Sequence, residues 1–111
     1  MKKIFFALLA GTFLLTACGE TQSEPATEGL KPEDITLPDT YDAALAEATN
    51  KRSCAGCHGV DLQGAGAYPQ PITGLTKEEV YIAIVEGVGR MPANMVTGEE
   101  AENLAVWIAA Q

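Results

Sequence analysis

The chain has one histidine, His58, and only seven Lys and Arg against fifteen Asp and Glu, a formal net charge of −8. A lone histidine leaves no second imidazole for acid–base chemistry. The shortage of cations excludes nucleic acid as a partner, because phosphate binding needs a basic face. Three cysteines, at positions 18, 54 and 57, are an odd number and do not suggest a disulfide framework. No apolar run exceeds about twelve residues, too short to cross the roughly 30 Å hydrocarbon core of a bilayer as a helix. Strand-like alternation and internal repeats are absent. Aromatic residues are only 6% of the chain, so large side chains for a core are few.

What is present begins with a leader. Met1-Lys2-Lys3 precedes the apolar run Ile4–Leu15, and Thr16-Ala17-Cys18 follows. A basic start, a short apolar stretch and small residues at the end make a secretory signal peptide. A retained anchor helix is the competing reading, and the polar residues from Glu20 onward argue against it. Leu15-Thr16-Ala17-Cys18 resembles the lipobox of bacterial lipoproteins. That resemblance implies removal of residues 1–17 and lipidation of Cys18, with two or three acyl chains holding the protein at the extracytoplasmic face of the cell membrane. The mature chain keeps five cations and all fifteen acids, a formal charge of −10. Such an excess suits a partner with a basic docking surface.

Residues 18–38, rich in Glu, Thr, Pro and Gly, lack a hydrophobic period and read as a flexible acidic tether. A coil of twenty residues spans roughly 25 Å root-mean-square. The folded domain is residues 39–111, all-α, with three main helices. The first spans about Asp39–Lys51 with Asp39 as N-cap. The second opens on the capping box Thr76-Lys77-Glu78-Glu79 and carries Val80, Tyr81, Ile84, Val85 and Val88, with Gly87 and Gly89 ending it. The third opens on a second box, Thr97-Gly98-Glu99-Glu100, and carries Ala101, Leu104, Trp107 and Ile108. A long loop rich in Gly and Pro separates the first two helices. Seventy-odd residues with few large side chains need a staple.

The staple is Cys54-Ala55-Gly56-Cys57-His58, the c-type haem attachment pattern. Thiols three residues apart lie within one helical turn and can reach the vinyl groups of neighbouring pyrroles, and the next residue then turns its imidazole to the iron. Small residues between them let the backbone approach the porphyrin edge. The haem becomes the missing core. A zinc site needs four ligands, and two cysteines with one histidine fall short. A thioredoxin-like pair needs a βαβ context, which is missing. A structural disulfide would leave His58 unexplained. The second axial ligand must be another donor, and methionine is the obvious one. Met91, after Gly87-Val88-Gly89-Arg90 and before Pro92, is favoured; Met95 is the alternative.

Cys54–His58, the Gly/Pro loop, Gly89-Arg90-Met91-Pro92 and the C-terminal helix with Trp107 resemble a small class I cytochrome c. With the lipobox, the chain is similar to the lipid-anchored cytochromes c of Gram-positive bacteria. The resemblance implies a fold in which N- and C-terminal helices cross and loops wrap one covalently attached haem c. It implies a monomeric electron carrier serving respiratory partners, a cytochrome c oxidase or a quinol–cytochrome c reductase. A haem-based gas sensor or small peroxidase with a displaceable sixth ligand is the alternative. The family's aromatic residue four positions before the first haem cysteine is Asn50 here, so the helix crossing is expected to use Tyr41, Ala44 and Ala48 against Trp107. The loop proline that orients the haem histidine is Pro69 or Pro71.

Overall fold

The computed structural model describes residues 29–111. The leader at 1–17, Cys18 and the tether as far as residue 28 lie outside the described residues. Four α-helices follow in order: α1 (Ala43–Ser53), α2 (Ala55–His58), α3 (Lys77–Glu86) and α4 (Gly98–Ala109). Among the described residues there is no strand, and no helix is long and apolar enough to cross a membrane. The all-α architecture expected from the sequence is the one observed.

α4 is the central element, packed on α1 along one side and α3 along the other. Its Ala101, Leu104, Ala105, Val106, Trp107 and Ile108 are all buried. The partners differ in kind. α3 contributes Val80 and Ile84, larger apolar side chains that interlock with those of α4. α1 contributes Ala46, Thr49 and Asn50, each 1% exposed or less. Tyr41, Ala44 and Ala48, expected at this crossing, are exposed instead. The face that fits is the small one, because Ala46 lets two backbones approach closely.

Thr49 is tolerated in that interface because its hydroxyl is tied down, whereas Asn50 bonds through Nδ2 and leaves its Oδ1 buried without a partner among the described residues. The Thr49 hydroxyl lies 2.9 Å from the Leu45 carbonyl and 2.7 Å from Glu100 Oε1, its single proton serving one at a time. Arg52 closes on the same Glu100 oxygen. The Thr49 hydrogen bond, and then Arg52, hold the Glu100 carboxyl below its ordinary pKa. A carboxyl that binds its proton more weakly when folded stabilises the fold above its unfolded pKa, roughly 4.3, and loses that contribution as pH falls through the lowered value. Glu100→Gln is therefore expected to lower the thermal midpoint at pH 7, with the gap to wild type closing below about pH 4. A gap unchanged between the two pH values would show that the ion network contributes nothing.

The helix starts follow local chemistry, with two corrections. α1 is capped by Asp42, whose carboxylate accepts from Leu45 N–H, and not by Asp39. Asp39 pairs with Lys77 across 2.8 Å at the start of α3. Thr76 and Glu79 form the complete reciprocal box expected of them. Thr97 occupies the N-cap position of α4, but its side chain caps nothing. Gly98 sits at φ +62° in the first helical position, so the opening turn does not present N–H groups to the hydroxyl. Glu100, the residue that would complete the box, is engaged with Thr49 and Arg52 instead.

α3 stops at Glu86, two residues before Val88, which is 63% exposed and no part of an apolar face. Part of the span read as tether packs on the helices. Pro32–Asp34 form a 3-10 turn, Leu37 is buried and Ile35 half-buried. The Leu30 N–H donates to the Glu86 carboxylate at the end of α3. Two apolar residues two apart, Ile35 and Leu37, insert from one side of an extended segment.

Candidate functional site

The Cys54–His58 segment is built by a break in helical geometry. Cys54 N–H donates to the Asn50 carbonyl at 2.9 Å and ends α1. His58 N–H donates to the Cys54 carbonyl at 2.9 Å, so α2 restarts at once in a new direction. Asn50 grips the segment from both sides, since its Nδ2 also donates to the Val60 carbonyl at 3.3 Å. An aromatic residue could pack at that position but could not supply this bond.

His58 and Cys54 form one wall of a cleft of about 400 Å³, its open mouth included. Ile72 and Leu75 of the loop, Val80, Ala83 and Ile84 of α3, Ile108 of α4, and Met91 complete it. Ile72 and Leu75 were not singled out from the sequence. Their signal was there, as branched apolar residues in the Gly- and Pro-rich second half of the loop. Another hollow, under residues 30–37 beside Tyr81 and Glu102, has no thiol, imidazole or thioether in its wall.

The cleft's electrostatics favour neutral donors. Burial holds the His58 pKa below its ordinary value, so the imidazole is neutral at pH 7 with a lone pair for a metal. Burial likewise raises the Cys54 thiol, with Arg52 pulling down and Cys57 pushing up. Cys54 is half-buried and Cys57 exposed, and both are free thiols one turn apart. His58 Nδ1 is buried with no hydrogen-bond partner among the described residues. Neither Pro69 nor Pro71 reaches it.

Met91 enters on a rigid loop. Met91 N–H donates to the Val88 carbonyl at 2.8 Å, and Val88 N–H returns a bond to the Met91 carbonyl at 3.1 Å. Asn94 N–H then donates to the Ile84 carbonyl of α3 at 2.8 Å. Met91 is half-buried in the cleft, whereas Met95 is 47% exposed and does not line it.

An apolar cleft with a thiol, an imidazole and a thioether in its walls, and the exposed thiol of Cys57 one turn from Cys54, suits covalent haem. Bound there, haem supplies a one-electron couple at its iron. The residues around it bind, orient and exclude water. With a helical fold built around such a cleft, the molecule is a small class I c-type cytochrome, an electron-transfer protein carrying haem c and not an enzyme.

Comparison with known proteins agrees. The chain belongs to the c-type cytochrome family described as cytochrome c oxidase, cbb3-type, subunit III, whose model matches residues 42–108. It is 34% identical over 110 residues to cytochrome c-551 of Bacillus subtilis (strain 168), covering 96% of this chain and 89% of the relative. It is 39% identical over 62 residues to the menaquinol:cytochrome c reductase cytochrome c subunit of the same organism, covering 53% of this chain and 24% of that protein. Over 44 residues it is 41% identical to cytochrome c-554(547) of Halothiobacillus neapolitanus, 40% of this chain and 47% of the relative.

Proposed function

We propose that this cytochrome is a membrane-tethered carrier whose haem iron is held by His58 and Met91 and which passes single electrons between respiratory partners, from a quinol–cytochrome c reductase toward a terminal oxidase. The observation that carries the reading is that His58 and Met91, 33 positions apart in the chain, line one apolar cleft. His58 and Met91 would hold the iron from the two walls of the cleft, leaving no place for a substrate, and haem so held would supply a one-electron couple. A His/Met pair also raises the potential. The menaquinol–cytochrome c reductase subunit and cytochrome c-551 among its relatives support a respiratory setting. The acid excess supports a partner with a basic surface, with association slowing as salt rises.

The visible spectrum of the holoprotein, oxidised and reduced, with and without carbon monoxide, tests the ligation. Low-spin spectra, a weak far-red ferric band and no carbon monoxide response are expected. A high-spin spectrum that shifts with carbon monoxide would replace the carrier with a gas sensor or peroxidase.

Tethering rests on Leu15-Thr16-Ala17-Cys18. Lipidation of Cys18 would hold the domain at the extracytoplasmic face and raise its local concentration near its partners. Cys18→Ser is expected to move most of the protein from the membrane to the soluble fraction. Unchanged membrane retention, with the thiol absent, would sink the lipid anchor.

A further inference from the structure

We infer that residues 30–39 are a strap clipped along the back of α3 by Lys77 and Glu86, and that through α3 these two act as positioning residues for Met91. The inference rests on the reading of Met91 as an iron ligand.

The charges at the ends of α3 are the wrong way round for the helix itself. A helix carries partial positive charge at its N-terminus and partial negative charge at its C-terminus, so acids suit the first turn and cations the last. α3 begins on Lys77 and ends on Glu86, with no basic residue in its last turn. Each misplaced charge is engaged with the strap. An ammonium has three protons to donate. Lys77 Nζ lies 3.4 Å from the Leu37 carbonyl, 3.1 Å from the Pro38 carbonyl and 2.8 Å from Asp39 Oδ1, oxygens of three consecutive residues. At the other end the Glu86 carboxylate accepts from Leu30 N–H. The strap passes so close there that a Cβ on Gly29 would lie 2.9 Å from Glu86 Oε2. Residues 30–39 therefore run the length of α3 in the opposite direction.

An exposed ion pair alone would hold little, and the Asp39 side chain is 96% exposed. The two main-chain carbonyls give Lys77 its grip, and its own side chain is only 25% exposed. Between the clips Leu37 is buried and Ile35 half-buried, and both border the hollow shared with Tyr81 of α3 and Glu102 of α4. Other residues of α3, Val80, Ala83 and Ile84, line the cleft with Met91. The same helix roots the methionine loop: Gly87 N–H donates to the Ala83 carbonyl at 3.0 Å and Asn94 N–H to the Ile84 carbonyl at 2.8 Å. α3 thus joins the strap to Met91, and what clips the helix sets where the loop stands.

Glu86→Ala in the full-length holoprotein separates a clip from a helix residue, because the two predict opposite signs. If Glu86 served the helix alone, alanine would raise the thermal midpoint, being the better helix former and lacking the adverse charge. As a clip, its loss is expected to lower the midpoint and to speed hydrogen exchange at the Leu30 and Ile35 amides by about tenfold. Glu86→Gln keeps an acceptor oxygen and is expected to stay nearer the wild type. Lys77→Met, which keeps the stem and removes the ammonium, is expected to release the other end. The link to Met91 is read by heating the ferric protein, with the far-red band reporting the methionine and far-ultraviolet circular dichroism the helices. Both substitutions are expected to lower the midpoint for the band further than the midpoint for the helices. A raised midpoint or unchanged strap exchange in Glu86→Ala would overturn the strap. Band and helices falling together would overturn the link to Met91. A wild type without the far-red band overturns the methionine reading and that link together. A wild type that has the band, with variants that keep it to the wild-type temperature, overturns this inference alone.

Discussion

Replacing Met91 by alanine is expected to leave the haem attached through Cys54 and Cys57 while opening the iron. The far-red ferric band disappears, the ferrous protein binds carbon monoxide, and the midpoint potential falls by on the order of 0.2 V, within the roughly 0.8 V that axial ligands span. The effect is large because nothing nearby can take over. Met95 is exposed and outside the cleft, and the chain has no second histidine. The loop itself should survive, since the Val88–Met91 pairing and the Asn94–Ile84 bond use main-chain atoms alone. Optical titration with carbon monoxide before and after the substitution checks this. A variant that keeps the band would show that Met91 packs the cleft without ligating.

Gly87→Ala is expected to do comparable damage from outside the cleft. Gly87 ends α3 at φ +75° and ψ 162°, a conformation close to glycine-only. A Cβ there would stand 2.6 Å from the Met91 carbonyl oxygen and 2.8 Å from Ala93 N. Both are main-chain atoms, so the loop must move, and the Val88–Met91 pairing goes with it. Strain and lost bonds together should cost about 2–4 kcal/mol. For a domain of this size that lowers the thermal midpoint by roughly 10–20 °C, with the far-red band weakened in proportion to displaced Met91. Gly89→Asn is the control. Gly89 also has positive φ, +55°, but a Cβ there meets nothing within 4 Å. Equal melting of the two variants would mean that the clash is relieved at no cost.

The site was more legible in the sequence than the core around it. Cys54, Cys57 and His58 form a local pattern, so a five-residue window contains the haem attachment proposed from it. The Gly-rich turn before Met91 is equally local. The Thr76–Glu79 box succeeded for the same reason, and the Thr97 box failed because Gly98 took a backbone conformation that propensity does not register. The α1–α4 crossing was misplaced because its buried face is Ala46, Thr49 and Asn50. Hydrophobic periodicity sees little contrast there, while Tyr41 and Leu45 draw attention to the exposed side. Satisfaction of Thr49 depends on Glu100, 51 residues away, a pairing no window contains. The packing of Ile35 and Leu37 was hidden by the acidic, proline-containing sequence around them.

The span from His58 to Met91 acquires a further meaning once both residues grip one iron. The metal then acts as a cross-link, closing about 33 residues into a ring that includes the loop and all of α3. By the chain-entropy relation used for disulfides, a closure of that length constrains the unfolded state by about 3–4 kcal/mol. Unlike a disulfide, this clasp opens by exchange of a single weak thioether bond. Under the proposed ligation, the residue that tunes the electron's energy would also set how tightly the polypeptide closes around the haem.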